Sequence, residues 1–433
     1  MSTTKTIRVE YLARVEGEGA LDIRYQGSAV QEVKLRIFEP PRFFESFLQG
    51  RDFREAPDIT ARICGICPIA YQMSSVHAME AALNWKISPE VRLLRRLAYC
   101  GEWIESHVLH IYMLHAPDFL GHHDAISLSK IAPEEVQRGL RLKKAGNEIV
   151  RVLGGREIHP INIRVGGFYK IPEAAKWKKL REELLWGRES AENTVRWVSQ
   201  FTFPDFTQDY EFVALHHPDE YALNEGRLIS NKGLDIAVKE YEQHFAEIHV
   251  PHSNALQAIH KGAGTYLVGP LARYNLNFAQ LSDHAKQLAR HFDFDRPILN
   301  PFASIIARSI EVVYAFDEAL RIVDQMLAMT EDTIPFHEGS IQEGSGAAAT
   351  EAPRGLLYHH YRLDEQGRIQ SAKIVPPTSQ NQSRIEEDLK QFVAEKHQLS
   401  DEELRWQCEQ AIRNYDPCIS CATHFLRLNV ERQ

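Results

Sequence analysis

Four of the six cysteines stand in two CxxC pairs, Cys64-Gly65-Ile66-Cys67 and Cys418-Ile419-Ser420-Cys421, near opposite ends of a 433-residue chain. A CxxC turn lets two thiolates converge on one metal. Thiolates favour soft or borderline metals such as zinc, iron, nickel or copper(I). The plainest use of such pairs is a structural zinc knuckle. Knuckles close small modules, with about 15–20 residues between their pairs, and a loop spanning most of a chain is a poor clip. The spacing therefore favours a catalytic metal site that forms when both ends of the fold meet, with structural zinc as the alternative. Cys100 and Cys408 lie in apolar helical stretches and read as buried core thiols.

Composition bounds what surrounds such a site. The chain is 44% hydrophobic with 24 Gly and 20 Pro, which is ordinary globular composition. Length alone suggests two or three domains, but a site shared by both termini requires one intertwined unit over 1–433. A net charge of -9, with no dense basic stretch, excludes a nucleic-acid footprint. The start, Met1 to Ile7, lacks the apolar core of a signal peptide. No apolar run reaches the ~20 residues of a membrane-spanning helix. The expected location is the cytoplasm, and the cysteine usage fits a reducing compartment.

The elements that must position the cysteines follow from hydrophobic period and punctuation. Residues 5–39 alternate as β structure around a turn at Gly27, and 14–19 within them read RVEGEG. After Pro40-Pro41, residues 42–50 form a short helix stopped by glycine. The loop RICGIC at 62–67 leads into a helical pattern over 71–84. A longer helix opens at Ser88 and Pro89, runs to His115 and is stopped by Pro117. Helices are expected at 132–150, 172–201, 279–291 and 300–328. Residues 202–236 read as irregular and 329–354 as a glycine-rich loop. A hairpin follows over 356–375 and ends at Pro376-Pro377. Ser400 and Glu403 make a capping box for a last helix that ends near Asn414. The expected class is α+β, predominantly helical, with an N-terminal β region at 5–39 and a long central helix bundle. Gly344-Ser345-Gly346 loosely fits a dinucleotide fingerprint but opens no βαβ unit, so a pyridine nucleotide is expected on another subunit. His107 and His110 share a helix face and read as hydrogen-bonded interior residues rather than ligands.

Glu16, Arg62, Arg354 and Asp416 sit beside glycine or proline, and each alone reads as a surface charge. Together with the cysteines they resemble the large, catalytic subunit of nickel–iron hydrogenases. The likeness runs nearly end to end, through RVEGEG at 14–19, RFFESFLQGRD at 42–52, RICGIC at 62–67 and SHVLHIYMLHAPD at 106–118. It continues through HPINIRVGG at 159–167, GPLARYN at 269–275, EAPRG at 351–355 and DPCISCATH at 416–424. The short chain, Pro68 and the CATH ending are similar to the cytoplasmic bidirectional branch, linked to NAD(P) or sulfur.

The resemblance implies that Cys64 and Cys418 are terminal nickel ligands, while Cys67 and Cys421 bridge nickel to iron. It implies an iron carrying carbon monoxide and two cyanides. It also implies magnesium near Glu45, His424 and the backbone of Lys373. Glu16 would relay protons, because a partly buried carboxylate can take up and release them near neutrality. Arg354, Pro353, Asp118 and Asp416 would form a canopy over the open nickel position, with Val375, Pro376 and Thr378 in the cofactor environment. Hydrogen would be split heterolytically into hydride and proton. Arginine's very high pKa makes Arg354 an electrostatic support before a base. Tyr71 stands where the family often has histidine. Pro377 and then Thr378 stand where it often has a hydroxyl residue. With no spare cysteines for an iron–sulfur cluster, electrons would leave through an iron–sulfur small subunit and flavin/NAD(P)-binding diaphorase subunits. Residues 425–433 would be a tail removed by a maturation endopeptidase. A hydrogen-sensing relative would keep the same metal site.

Overall fold

The computed structural model describes residues 4–40, 42–329 and 336–423. Strands Thr4–Val9, Gly19–Gln26 and Ala29–Ile37 form an antiparallel sheet in chain order. Its alternation buries Ile7, Leu21, Ile23, Tyr25, Leu35 and Ile37 on one side. That face meets a helix from the far end of the chain, Pro377–Ala394. The Tyr25 hydroxyl donates to the Val393 carbonyl (3.0 Å), and Gln382 donates to the Leu35 carbonyl (3.1 Å). The two ends of the chain are thus joined at the first sheet as well as at the cysteine pairs.

Five long helices make the centre: Pro68–Leu83, Pro89–Leu109, Pro133–Gly154, Ala174–Val198 and Ser304–Ala328. The Ser88 side chain accepts from the Val91 amide and Pro89 fills the first turn, as the sequence implies. Ser304–Ala328 is buried almost all round and forms the innermost helix. Its acidic residues are paired with other helices. Glu318 binds Arg96, and Glu311 takes both Nε and Nη2 of Arg273 at 2.9 Å. Among the described residues no helix is long and apolar enough to cross a membrane.

Three expectations change, and one helix is added. The long helix does not stop at Pro117. It leaves α geometry after Leu109, passes through a π turn over His110–His115, and restarts as Ala116–Phe119 with Pro117 in the first turn. A π turn aligns residues five apart, so His110 and His115 both face inward, their rings 4.8 Å apart. Residues 202–236 are not wholly irregular, because Val213–His216, Arg227–Ser230 and Asp235–Ile236 form a small sheet. GPLARYN contains a helix, Pro270–Asn277.

The largest change is at 329–354, where Gly344–Ala352 is a strand paired to Gly355–Leu363, which in turn pairs Ile369–Val375. Its glycines are there for close approach. A Cβ on Gly344 would lie 2.0 Å from the Ala82 carbonyl oxygen, and one on Gly346 would lie 2.2 Å from the Ala82 nitrogen. The strand therefore rests on the backbone of Pro68–Leu83, the helix that follows the first cysteine pair. Ser74 and Thr350 seal the contact by a hydroxyl hydrogen bond of 2.7 Å.

Gly346→Ala should cost about 1–3 kcal/mol or more by overpacking, read as a lower denaturant midpoint; an unchanged midpoint would refute the close approach. The buried histidines give a second test. Burial holds His107 down to about 4, and His110 and His115 well below 6.5. Each is neutral when folded and takes a proton on unfolding. Stability present at neutral pH should then fall as pH drops from about 6.5 towards 4. A denaturant midpoint that stays level across that window would contradict it.

Candidate metal centre

The first cysteine pair is set by local backbone. After the 3-10 turn Ala61–Ile63, Cys64 is extended and Cys67 occupies the N-cap of Pro68–Leu83. The amides of Ile66 and Cys67 donate to Cys64 Sγ at 3.3 and 3.2 Å. Cys67 does not cap its helix with its side chain. Glu102, from Pro89–Leu109, does so instead: its carboxylate accepts from Ile69 N (2.6 Å) and Ala70 N (3.0 Å). The free amides of the first turn are satisfied from outside, and the Cys67 sulfur is left for other use. Glu102 is buried, and burial with Glu105 one turn away pushes its carboxyl well up.

The second pair hangs from the end of helix Asp401–Arg413. Asp416 takes a left-handed φ of 49°, which turns the chain into Cys418 and the short helix Ile419–Ala422. Residue 16 bridges to Cys418 in parallel fashion, with the Ile419 amide donating to the Glu16 carbonyl at 3.0 Å.

The four sulfurs meet. Cys64 and Cys418 are 3.6 Å apart, Cys67 and Cys421 are 3.7 Å apart, and all four Sγ lie within 4.8 Å of one another. A disulfide needs about 2.05 Å, whereas thiolates sharing a metal at ~2.3 Å sit about 3.8 Å apart. All four residues are buried. Burial pushes the thiols of Cys67, Cys418 and Cys421 up; Cys64 goes the other way, because hydrogen bonds from its three cysteine neighbours and the charge of Arg354 outweigh its burial. Four soft donors with a nearby cation fit a thiolate-bound metal pair. Taken alone, the sulfur geometry would also accept zinc.

The groups around the sulfurs go beyond a zinc clip. Glu16 Oε2 lies 3.1 Å from Cys418 Sγ and accepts from the Ser420 amide at 3.1 Å, while Oε1 accepts from the Ser420 hydroxyl. Arg354 lies with Pro353 in the turn between strands Gly344–Ala352 and Gly355–Leu363. Its Nε donates to the Asp416 carbonyl (2.8 Å) and Nη2 to Asp416 Oδ1 (3.1 Å). Buried Nη1 has no hydrogen-bond partner among the described residues. Although burial opposes its charge, Asp416 and the thiolates of Cys418, Cys67 and Cys64 raise the Arg354 pKa still further, so the guanidinium stays charged. The Pro353–Arg354 turn is clamped by Arg273, which donates to the carbonyls of Ala352 (2.8 Å) and Pro353 (2.9 Å) and to Glu351 (3.0 Å). Thr378 Oγ1 accepts from the Cys418 amide at 2.9 Å, which leaves its hydroxyl proton to donate. Tyr71 is buried one turn beyond Cys67. Burial and the sulfurs of Cys421, Cys67 and Cys418 push its phenol well up, so it stays a neutral donor facing Cys421.

Other expected site residues lie further out. Asp118 is paired with Arg14 and with Arg413 (2.7 and 2.8 Å), and no bond to Arg354 is found among the described residues. Its carboxylate is taken up by those two arginines, and Arg413 ends the helix that leads into the 414–416 turn. Glu45 accepts from the Ile374 amide at 2.7 Å, which brings it to the Lys373 peptide. The Lys373 side chain points away, 3.5 Å from Glu242 and 3.6 Å from Glu247. Val375 is buried, and Pro376 caps helix Pro377–Ala394. His424 and the tail 425–433 lie outside the described residues. Arg62 is exposed and bound to Asp58. Glu102 and Arg413 carry no signal in the sequence, since each acts through backbone or side chains far from it along the chain; Arg273 lies within GPLARYN, but the motif does not mark it as the clamp of the Pro353–Arg354 turn.

Comparison with known proteins agrees with this geometry. A family model described as nickel-dependent hydrogenase matches residues 42–140 and 260–424. The chain is 34% identical to the sulfhydrogenase 1 subunit alpha of Pyrococcus furiosus, over 98% of each chain. It is 27% identical to the NAD-reducing hydrogenase HoxS subunit beta of Cupriavidus necator, over 98% of this chain and 95% of that one. Among solved structures, an NAD+-reducing [NiFe]-hydrogenase in the H2-reduced state superposes with a TM-score of 0.88 at 26% identity, covering 98% of this chain and all of that one.

Glu102→Ala would leave the buried amides of Ile69 and Ala70 unpaired. We expect a loss of about 1–3 kcal/mol for each, read by denaturation of the full chain, with Glu102→Gln intermediate. A neutral Glu102→Ala would show that the helix start is satisfied in another way.

Proposed function

This chain belongs to the nickel-dependent hydrogenase family, and we propose that it is the catalytic subunit that cleaves and forms H2 at a nickel–iron pair. The observation that carries this is the meeting of four buried thiols with the Glu16 carboxylate and the Arg354 guanidinium. Cys64, Cys67, Cys418 and Cys421 would hold nickel, and Cys67 and Cys421 would share it with iron. The pairing of Cys64 with Cys418 and of Cys67 with Cys421 supports that division. The iron would carry carbon monoxide and two cyanides, with the spare proton of Thr378 available to one of them. Glu45, the Lys373 carbonyl and His424 would hold magnesium.

When bound, the metal pair supplies an acceptor for the electron pair of H2. The remaining work belongs to the chain. The Cys418 sulfur can hold the released proton, and Glu16 Oε2, at hydrogen-bond distance, takes it. The Ser420 hydroxyl and amide hold that carboxylate against the sulfur. Half-buried Glu39, packed against Gly17, continues the acidic path outward. Arg354, fixed by Asp416, keeps a permanent positive charge over the thiolates and lowers the cost of burying them. Asp118 acts indirectly, holding Arg14 and holding Arg413 at the end of the helix that leads into the turn carrying Asp416.

Electrons would leave to an iron–sulfur small subunit. Exposed Phe43, Phe47, Ile158, Ile161 and Tyr169 support a partner surface near the first cysteine pair. The His159 ring bonds the Ala61 carbonyl (2.8 Å) and brings their loop to that side. Diaphorase subunits would carry electrons on to NAD(P) or sulfur in the cytoplasm, and an endopeptidase would remove 425–433 during maturation.

The purified, nickel-matured complex should reduce a viologen dye under H2 and contain nickel and iron in equal amounts. Glu16→Gln should keep both metals while slowing H2–D2O exchange at least ~100-fold. Unchanged exchange in that variant would remove Glu16 from the proton path, and zinc in place of nickel and iron would overturn the function.

A further inference from the structure

Arg42 has no part in the chemistry above, yet it touches both halves of the site. It lies just before the short helix Phe44–Leu48, half-buried, with its guanidinium over the Phe44 ring at 5.5 Å. Its Nη2 donates to the Ile63 carbonyl (2.7 Å) and to the Ser420 carbonyl. Its own amide donates to the Thr423 carbonyl at 2.7 Å. Ile63 immediately precedes Cys64, and Ser420 immediately precedes Cys421. One nitrogen thus ties the peptide entering one cysteine pair to a peptide inside the other.

The remaining anchors of 416–423 each hold that segment alone. Arg354 holds Asp416, Thr378 holds the Cys418 amide, and Glu16 holds Ile419 and Ser420. Among the described residues, none of these three hydrogen-bonds the backbone of 62–67. The segment also has little regular structure of its own, since Ile419–Ala422 is a single turn. Two carbonyls aimed at one point repel each other unless a donor stands between them, and a charged donor makes the stronger bond. We propose that Arg42 is the latch that closes the C-terminal cysteine pair onto the N-terminal pair. It is a positioning residue: it sets the spacing of the four sulfurs and touches none of them. The proposal rests on the four cysteines forming one metal site, and its first test does not depend on that.

The test uses the full-length, metal-free chain in three forms: wild type, Arg42→Met and Arg42→Lys. The first measurement is amide hydrogen exchange. Loss of the charged bond in Arg42→Met should speed exchange over 416–423 at least ~10-fold, with Pro68–Leu83 unchanged. The second is titration with Ni2+ alone, read by thiolate-to-nickel charge-transfer absorbance, and Arg42→Met should bind at least ~10-fold more weakly. A single bridging nitrogen needs only a cation with several donors, which lysine has, so Arg42→Lys should recover both to within about threefold of wild type. The latch is overturned if Arg42→Met exchanges like wild type, if Arg42→Lys is as impaired as Arg42→Met, or if faster exchange spreads through Pro68–Leu83. Absence of Ni2+ binding by wild type would count against the metal site, while the exchange comparison would still decide the latch.

Discussion

Four sulfurs drawn from the two ends of the chain must lie within 4.8 Å of one another in a buried site. Thiolates so placed repel one another, and burial raises the cost of their charge. Bound metal relieves most of that, and the protein relieves part of it beforehand. Arg354 is held charged by Asp416 and by the sulfurs themselves. Amides of Ile66 and Cys67 point at Cys64, and Thr378 and Glu16 fix the backbone of the second pair. Much of the fold can be understood as the support these groups need.

That support comes in layers. The N-terminal sheet and helix Pro377–Ala394 bring the chain ends together. Helix Pro89–Leu109 lends Glu102 to the start of Pro68–Leu83, so the first cysteine pair is braced by a helix outside its own segment. Strand Gly344–Ala352 lies on the same helix through its glycines and delivers Pro353 and Arg354 to the sulfurs, where Arg273 holds their turn. Asp118 pairs with Arg14 and with Arg413, which ends the helix that leads into the 414–416 turn. Buried pairs of this kind contribute little net stability. Their use is to fix geometry, which a site built on Sγ positions requires.

How much of this the sequence reveals depends on how local the signal is. The Ser88 and Ser400 caps, the N-terminal alternation and the 356–375 hairpin are local and stand where the residues imply. The cysteine pairs, Glu16, Arg354 and Asp416 are legible as motifs, and the fold gathers them. The strand at 344–352 is not legible, because glycine and alanine have low strand propensity and their fitness comes from the helix backbone beneath them. The π turn after Leu109 is likewise invisible to a periodicity of 3.6. Glu102 and Arg42 act through backbone groups that no side-chain pattern marks. Asp118 shows the converse: its motif is plain, but its carboxylate is taken by two arginines.

The most direct measurement is X-ray absorption at the nickel, iron and zinc edges of the anaerobically purified, matured complex. A nickel–iron pair held by the four cysteines should give nickel and iron in equal amounts, with nickel surrounded by sulfur at about 2.2–2.4 Å, as thiolate ligation requires. A zinc edge with four sulfurs, and neither nickel nor iron, would contradict it.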